Sequence, residues 1–157
     1  MNNSSAEFKK SDDRWKAPDI VPSIAYSNVE KAVEWLERVF GFKERSESRL
    51  SWPGGGMAWM EVGNSLFQVG TPDETWGQTT ENRGVMMKVY VDELDRHYDN
   101  ASMQGAEIVC EPMDGFWGGR TYRALDLEGN MWEISQAGRD LSSDQWKLPP
   151  GVVRGKS

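Results

Sequence analysis

Two kinds of apolar spacing alternate along the chain. DIVPSIAYS, from Asp19 to Ser27, is a short run rich in β-formers and predicts a strand. From there the apolar residues recur as Val29, Ala32, Val33, Leu36, Val39 and Phe40, the spacing that turns one stripe of a helix toward a core. Ser27 and Glu30 have the spacing of a capping box, so the helix is expected to begin at Ser27, and Gly41 stands where a left-handed C-cap is wanted. Beyond Gly41 come FKERSESRLSW, GMAWMEV and SLFQVG, separated by Pro53 with three glycines and by Gly63-Asn64; these predict three strands. The same order then returns. VMMKVYV is followed by a helix expected over 92–104, by AEIVCEP and RTYRALD, by a turn at Leu127-Glu128-Gly129-Asn130, and by MWEIS.

The repetition has a measurable offset. Gly41 and Gly105, Gly54 and Gly118, and Tyr26 and Tyr90 each lie 64 residues apart, and Gly63 and Gly129 lie 66 apart. We read two tandem βαβββ modules and an α+β fold, in which each module has a sheet face too apolar to leave in water. The expected boundaries are an N-terminal arm at 1–17, a first module at 18–70, a polar linker at 71–84, a second module at 85–136 and a C-terminal extension at 137–157. The two modules are expected to form one domain around a shared concavity.

Composition narrows the function. The 157 residues, 38% of them hydrophobic, suit one ordinary domain. A formal charge of −7 works against a grip on nucleic-acid phosphates. No apolar run approaches the roughly 20 residues that span a bilayer, and the polar start MNNSSAEFKKSDDRWK does not read as a signal peptide. A cytoplasmic protein without membrane or nucleic-acid partners is expected. The lone cysteine, Cys110, has no disulfide or CxxC partner and is expected to be a buried small hydrophobe. The single histidine, His97, excludes sites that need two imidazoles. It falls inside the second helix, where it is expected to face solvent or pack against the helix.

The segments VPSIAYSNVEKAVEWLERVFGFKE, VYVDELDRHYDNASMQGAEI and GGRTYRALDLEGNMWEIS together resemble the glyoxalase/bleomycin-resistance/dioxygenase (vicinal oxygen chelate) superfamily over about residues 18–136. The DLEGN turn resembles the family's Asp-Pro-Glu-Gly-Asn, with Leu127 in place of proline. The resemblance implies half-open barrels with a ligand or metal inside, and a homodimer as a common state. It also implies metal ligands on the first and last strands of each module. Glu133 falls at a carboxylate-ligand position. Its repeat partner is read as Phe67, with Gln68 beside it, and the first strands offer Val21 or Pro22 and Val85 or Met86, none of them a hard-metal ligand. The ligand set reads as incomplete and no cofactor is expected. Were a metal present, it would be a divalent cation near Glu133 and Gln68.

Alternation puts Met131, Glu133 and Ser135 on one face of the last strand and Trp132 and Ile134 on the other. If the family geometry holds, the Glu133 face looks into the cavity, joined by Phe67, Trp59 and Trp52 from the first module and by Phe116, Trp117, Arg120 and Tyr122 near the second glycine cluster. An aromatic box with one carboxylate suits a flat or cationic organic ligand. Blander readings stand beside this one: the aromatics as core, Arg120 bonded to carbonyls or to Asp126 across the hairpin, and Glu133 paired with Arg123. Two functions stay open, beside a partner-binding or structural role in which the pocket is vestigial. One is a metal-independent small-molecule binder of the drug-sequestering kind. The other is an enzyme of the same fold, either a divalent-metal lyase or dioxygenase, or a cofactor-free isomerase in which burial raises the Glu133 pKa and Tyr122 donates the proton.

Overall fold

The computed structural model describes residues 20–72, 79–81, 84–138 and 143–155. The arm at 1–17 and linker positions 73–78 and 82–83 lie outside the described residues. Two compact units are present. The first runs to residue 80 except for Arg38–Phe40, and the second takes in Arg38–Phe40 and the chain from residue 81 onward.

The first unit contains β1 (Ser23–Ala25), α1 (Val29–Trp35, continued by a π-helical turn at Leu36–Phe40 whose last three residues are counted with the second unit), β2 (Lys43–Glu44), β3 (Leu50–Trp52), β4 (Gly55–Val62) and β5 (Ser65–Gly70). The second contains β6 (Met87–Tyr90), α2 (Leu94–Met103), β7 (Glu107–Asp114), β8 (Arg120–Leu125) and β9 (Met131–Gln136). Each unit is an open sheet in which the first strand lies parallel to the last and the rest is an antiparallel meander. The orders are β1-β5-β4-β2, with β3 also on β4, and β6-β9-β8-β7. This is the α+β, βαβββ repeat that the spacing predicts. Among the described residues, no helix is long and apolar enough to cross a membrane.

Local signals were off by a residue in informative places. Asn28, not Ser27, caps α1: its extended backbone lets Oδ1 accept the Lys31 N–H at 3.0 Å, satisfying one orphan donor of the first turn. The run FKERSESRLSW is not one strand, because a 3₁₀ turn at Ser46–Ser48 divides it. The repeat also carries two one-residue adjustments. Asn28 and Glu93, which open the helices, lie 65 residues apart, whereas Gly41 and Gly105, which close them, lie 64 apart. The extra residue in the first helix is absorbed by its π-helical turn. The hairpins then restore the offset, since Gly63-Asn64 is a two-residue loop between Val62 and Ser65 while Leu127–Gly129 is a three-residue loop closed by the Asp126–Asn130 bond. Tyr26 and Tyr90 are therefore not equivalent: Tyr26 is fully buried and Tyr90 is 64% exposed.

One face of each sheet is covered by its helix. In the second unit Tyr122, Ala124, Trp132 and Ile134 are fully buried, and Tyr98 of α2 meets Tyr122 edge-on at 5.3 Å. Burying an aliphatic side chain of this size contributes about 1.5–3 kcal/mol. The β8–β9 turn is locked by Asp126, which accepts the Glu128 and Asn130 backbone N–H groups and the Trp132 indole N–H.

Part of the C-terminal extension lies among the described residues. A 3₁₀ turn at Ser143–Gln145 is followed by a bond from Val152 N to Pro149 O at 3.1 Å, and Arg154 Nη2 donates to the Asp144 and Trp146 carbonyls. The described residues of this Pro- and Gly-containing stretch are thus joined by contacts to backbone carbonyls.

Candidate functional site

The faces opposite the helices carry the polar chemistry. On β9, Trp132 and Ile134 enter the core, so Glu133 between them points the other way. Its cross-strand neighbours are Lys88 on β6 and Arg123 on β8. Lys88 Nζ lies 3.2 Å from Glu133 Oε1, while Arg123 Nε and Nη2 donate to Oε2 at 2.9 and 2.8 Å. The Glu133 side chain is 8% exposed, against 43% for Lys88 and 47% for Arg123. Burial, the strongest single influence, pushes the Glu133 carboxyl upward, but the hydrogen bonds and charges of Arg123 and Lys88 outweigh it in sum and hold it below its ordinary value. Lys88 is raised in turn: burial lowers it, and its contacts with Glu133 and Tyr90 more than reverse that. The row is cation, anion, cation, with one net positive charge.

The matching row in the first unit is Ser23, Gln68 and Trp59. Gln68, not Phe67, is thus the structural partner of Glu133. Phe67 lies on the opposite face, 3% exposed, with its ring edge-on to Phe42 at 5.8 Å. The one-residue difference in hairpin length is the cause of the mistaken pairing. Trp59 is half-buried on the Gln68 face. Trp52, 49% exposed at the end of β3, lies over Gly55, where a β-carbon would collide with the indole.

The nominated residues of the second unit fall in different places. Met131 shares the Glu133 face by alternation and is half-buried. Phe116 and Trp117 occupy the β7–β8 connection, edge-on to each other at 5.1 Å. Phe116 also lines a cavity of about 420 Å³ with Trp146, Leu148, Val152 and Arg154. Arg120 bonds Asp95 and Asp114, not Asp126. Cys110 is half-exposed rather than buried, because β7 is the edge strand of its sheet.

Tyr122 is on the wrong face to act with Glu133. It is fully buried on the helix side, its hydroxyl 2.7 Å from His97 Nδ1. Burial, with a smaller contribution from Tyr98, pushes its phenol well above the ordinary range. That makes it a poor proton donor.

The sheet order and the parallel first-to-last pairing describe a recurrent architecture, and a family profile described as the Glyoxalase/Bleomycin resistance protein/Dioxygenase superfamily matches residues 20–134. The chain belongs to this superfamily. No curated protein sequence matches it. Among solved structures it is similar to TioX from Micromonospora sp. ML1, at 31% identity over 78% of this chain and 98% of that one, with a TM-score of 0.59. It shares its fold with a glyoxalase/bleomycin resistance protein/dioxygenase family enzyme from Burkholderia phytofirmans PsJN (18% identity, 73% and 94% covered, TM-score 0.61). The fosfomycin resistance protein FosX from Mesorhizobium loti shares it too (16% identity, 73% and 87% covered, TM-score 0.53).

Superfamily members that use a metal draw ligands from these strands, and the donor set here does not fit one. Both Glu133 oxygens are engaged by cations, which would repel a divalent ion at the same place. Gln68 Oε1 accepts the Ser23 hydroxyl at 3.1 Å. Stepping two residues back from Ser23 and Lys88 along the same face selects Val21 and Met86 of the four first-strand candidates, and neither is a hard-metal ligand. Among the described residues no cluster of three His, Cys, Asp or Glu side chains is placed to hold a metal.

Lys88 is the site residue that the sequence reading passed over. Its signal was present, since a lysine in the middle of the apolar run VMMKVYV asks for a partner. Finding that partner required the parallel β6–β9 register, which no local pattern supplies.

Proposed function

We propose that the protein is a metal-independent binder of small organic molecules, of the drug-sequestering kind, that takes its ligand on the Glu133 face of the second sheet. One observation carries this reading: the only carboxylate of that row is ionised and already bonded on both oxygens by Lys88 and Arg123. Such a carboxylate is held between two positive charges that would repel a divalent ion, and a pKa below the ordinary value makes it a weak general base. What it does is hold two cations in place. Met86, Met131 and Tyr90 add adaptable and aromatic surface on the same face. Membership of a superfamily named in part for bleomycin resistance supports a sequestering role.

The test is metal analysis of the purified chain together with Glu133→Gln. Zinc, iron, manganese, nickel and cobalt are expected well below one equivalent after mild dialysis, and Glu133→Gln is expected to leave that content unchanged. Near-stoichiometric metal, lost in Glu133→Gln, would sink the proposal.

A further inference from the structure

We infer that the ligand recognised on the Glu133 face is an organic anion with an aromatic body, and that Lys88 and Arg123 are its receptors, with Glu133 as the brace that positions them. This rests on the proposed binding role and assigns the chemistry of the ligand. A cationic ligand would need an accessible, uncompensated carboxylate, whereas Glu133 is buried beneath two cations that already engage both its oxygens. The groups that solvent and ligand meet are the cations, close to half-exposed on either side.

The geometry suits a carboxylate or a similar oxyanion. The two basic side chains start on the strands flanking β9, roughly two strand spacings or about 10 Å apart, and converge on one carboxylate, so their heads lie within a few ångströms of its two oxygens. The ammonium has three donors and the guanidinium five, and one carboxylate does not exhaust them. An incoming oxyanion meets a preorganised pair whose row carries one net positive charge. Lys88 also lies 5.4 Å from the Tyr90 ring centroid, and Tyr90 is 64% exposed, which sets an open aromatic face beside the anion receptor. A flat ring bearing an acid group would stack there while its oxygens reach Lys88 and Arg123.

The experiment uses the full-length chain and three probes of one skeleton: 2-naphthoate, 2-naphthamide and 2-naphthylmethylammonium, each titrated calorimetrically. Naphthoate is expected to bind saturably and at least tenfold more tightly than the amide, with no saturable binding of the ammonium. Lys88→Met and Arg123→Met are each expected to weaken naphthoate about tenfold, the loss of one charge-assisted hydrogen bond. Circular dichroism checks that both variants are folded. Tighter binding of the ammonium, abolished by Glu133→Gln, would overturn the anion assignment while keeping the site. Naphthoate binding unaffected by either substitution would place the ligand elsewhere and overturn the inference. Failure of all three probes to bind would count against the binding reading on which it rests.

Discussion

Replacing Asp126 with alanine is expected to destabilise the protein by about 3 kcal/mol or more. Asp126 is 6% exposed, and its carboxylate accepts from the Glu128 and Asn130 backbone N–H groups, the Asn130 amide and the Trp132 indole. Alanine removes every one of these acceptors at once. The Trp132 N–H is the most serious loss, because this ring is fully buried and an orphaned buried donor costs about 1–3 kcal/mol by itself. The turn would also lose the bonds that close the three-residue loop, weakening the β8–β9 register that sets Arg123 beside Glu133. Urea unfolding of the wild type and Asp126→Ala measures the difference. Asp126→Asn is expected to fall between them, since one amide oxygen retains part of the acceptor capacity.

The second large effect concerns His97. Its Nε2 lies 2.8 Å from the Phe40 carbonyl and its Nδ1 2.7 Å from the Tyr122 hydroxyl. A neutral ring satisfies both: Nε2–H donates to the carbonyl and Nδ1 accepts from the phenol. Burial lowers the His97 pKa, against a smaller opposing effect of the Phe40 carbonyl. A base with a depressed pKa in the folded state stabilises the fold above its unfolded value, and that contribution is lost as pH falls below about 6.5 toward the folded pKa. The melting temperature should therefore drop across this window, before the loss that begins below about 4.5, where Glu133 with its depressed pKa makes its own contribution. His97→Leu is expected to abolish the first of these limbs and to cost about 2–4 kcal/mol at neutral pH, by removing the hydrogen bonds that His97 makes to the Tyr122 hydroxyl and the Phe40 carbonyl. Melting curves from pH 5 to 8 on both proteins check it. A wild-type curve flat through this range would contradict the assignment.

The periodicities in the sequence were strong enough to show the βαβββ repeat and the alternation on β9, because both follow from local spacing: Val29, Val33 and Leu36 on one helical stripe, and Trp132, Glu133 and Ile134 along one strand. The residue-level alignment of the two modules was less legible. A π-helical turn in one helix and one additional loop residue in the second hairpin shift the offset by a residue each, and no composition rule signals either. That shift moved Phe67 into the place that belongs to Gln68. The roles of Tyr122 and Lys88 were hidden for a different reason. Which face a strand residue takes can be read from alternation, but which neighbour it meets depends on pairing with strands distant in sequence, as β6 is from β9. Burial suggested a raised pKa for Glu133, and the two cations that reverse it come from separate strands.

The most direct test of the account is a thermal-shift screen of aromatic acids on the purified chain, run in parallel with and without excess chelator. Ligand-dependent stabilisation that the chelator leaves unchanged is expected. Stabilisation that disappears with chelator and returns on adding a divalent metal would contradict it.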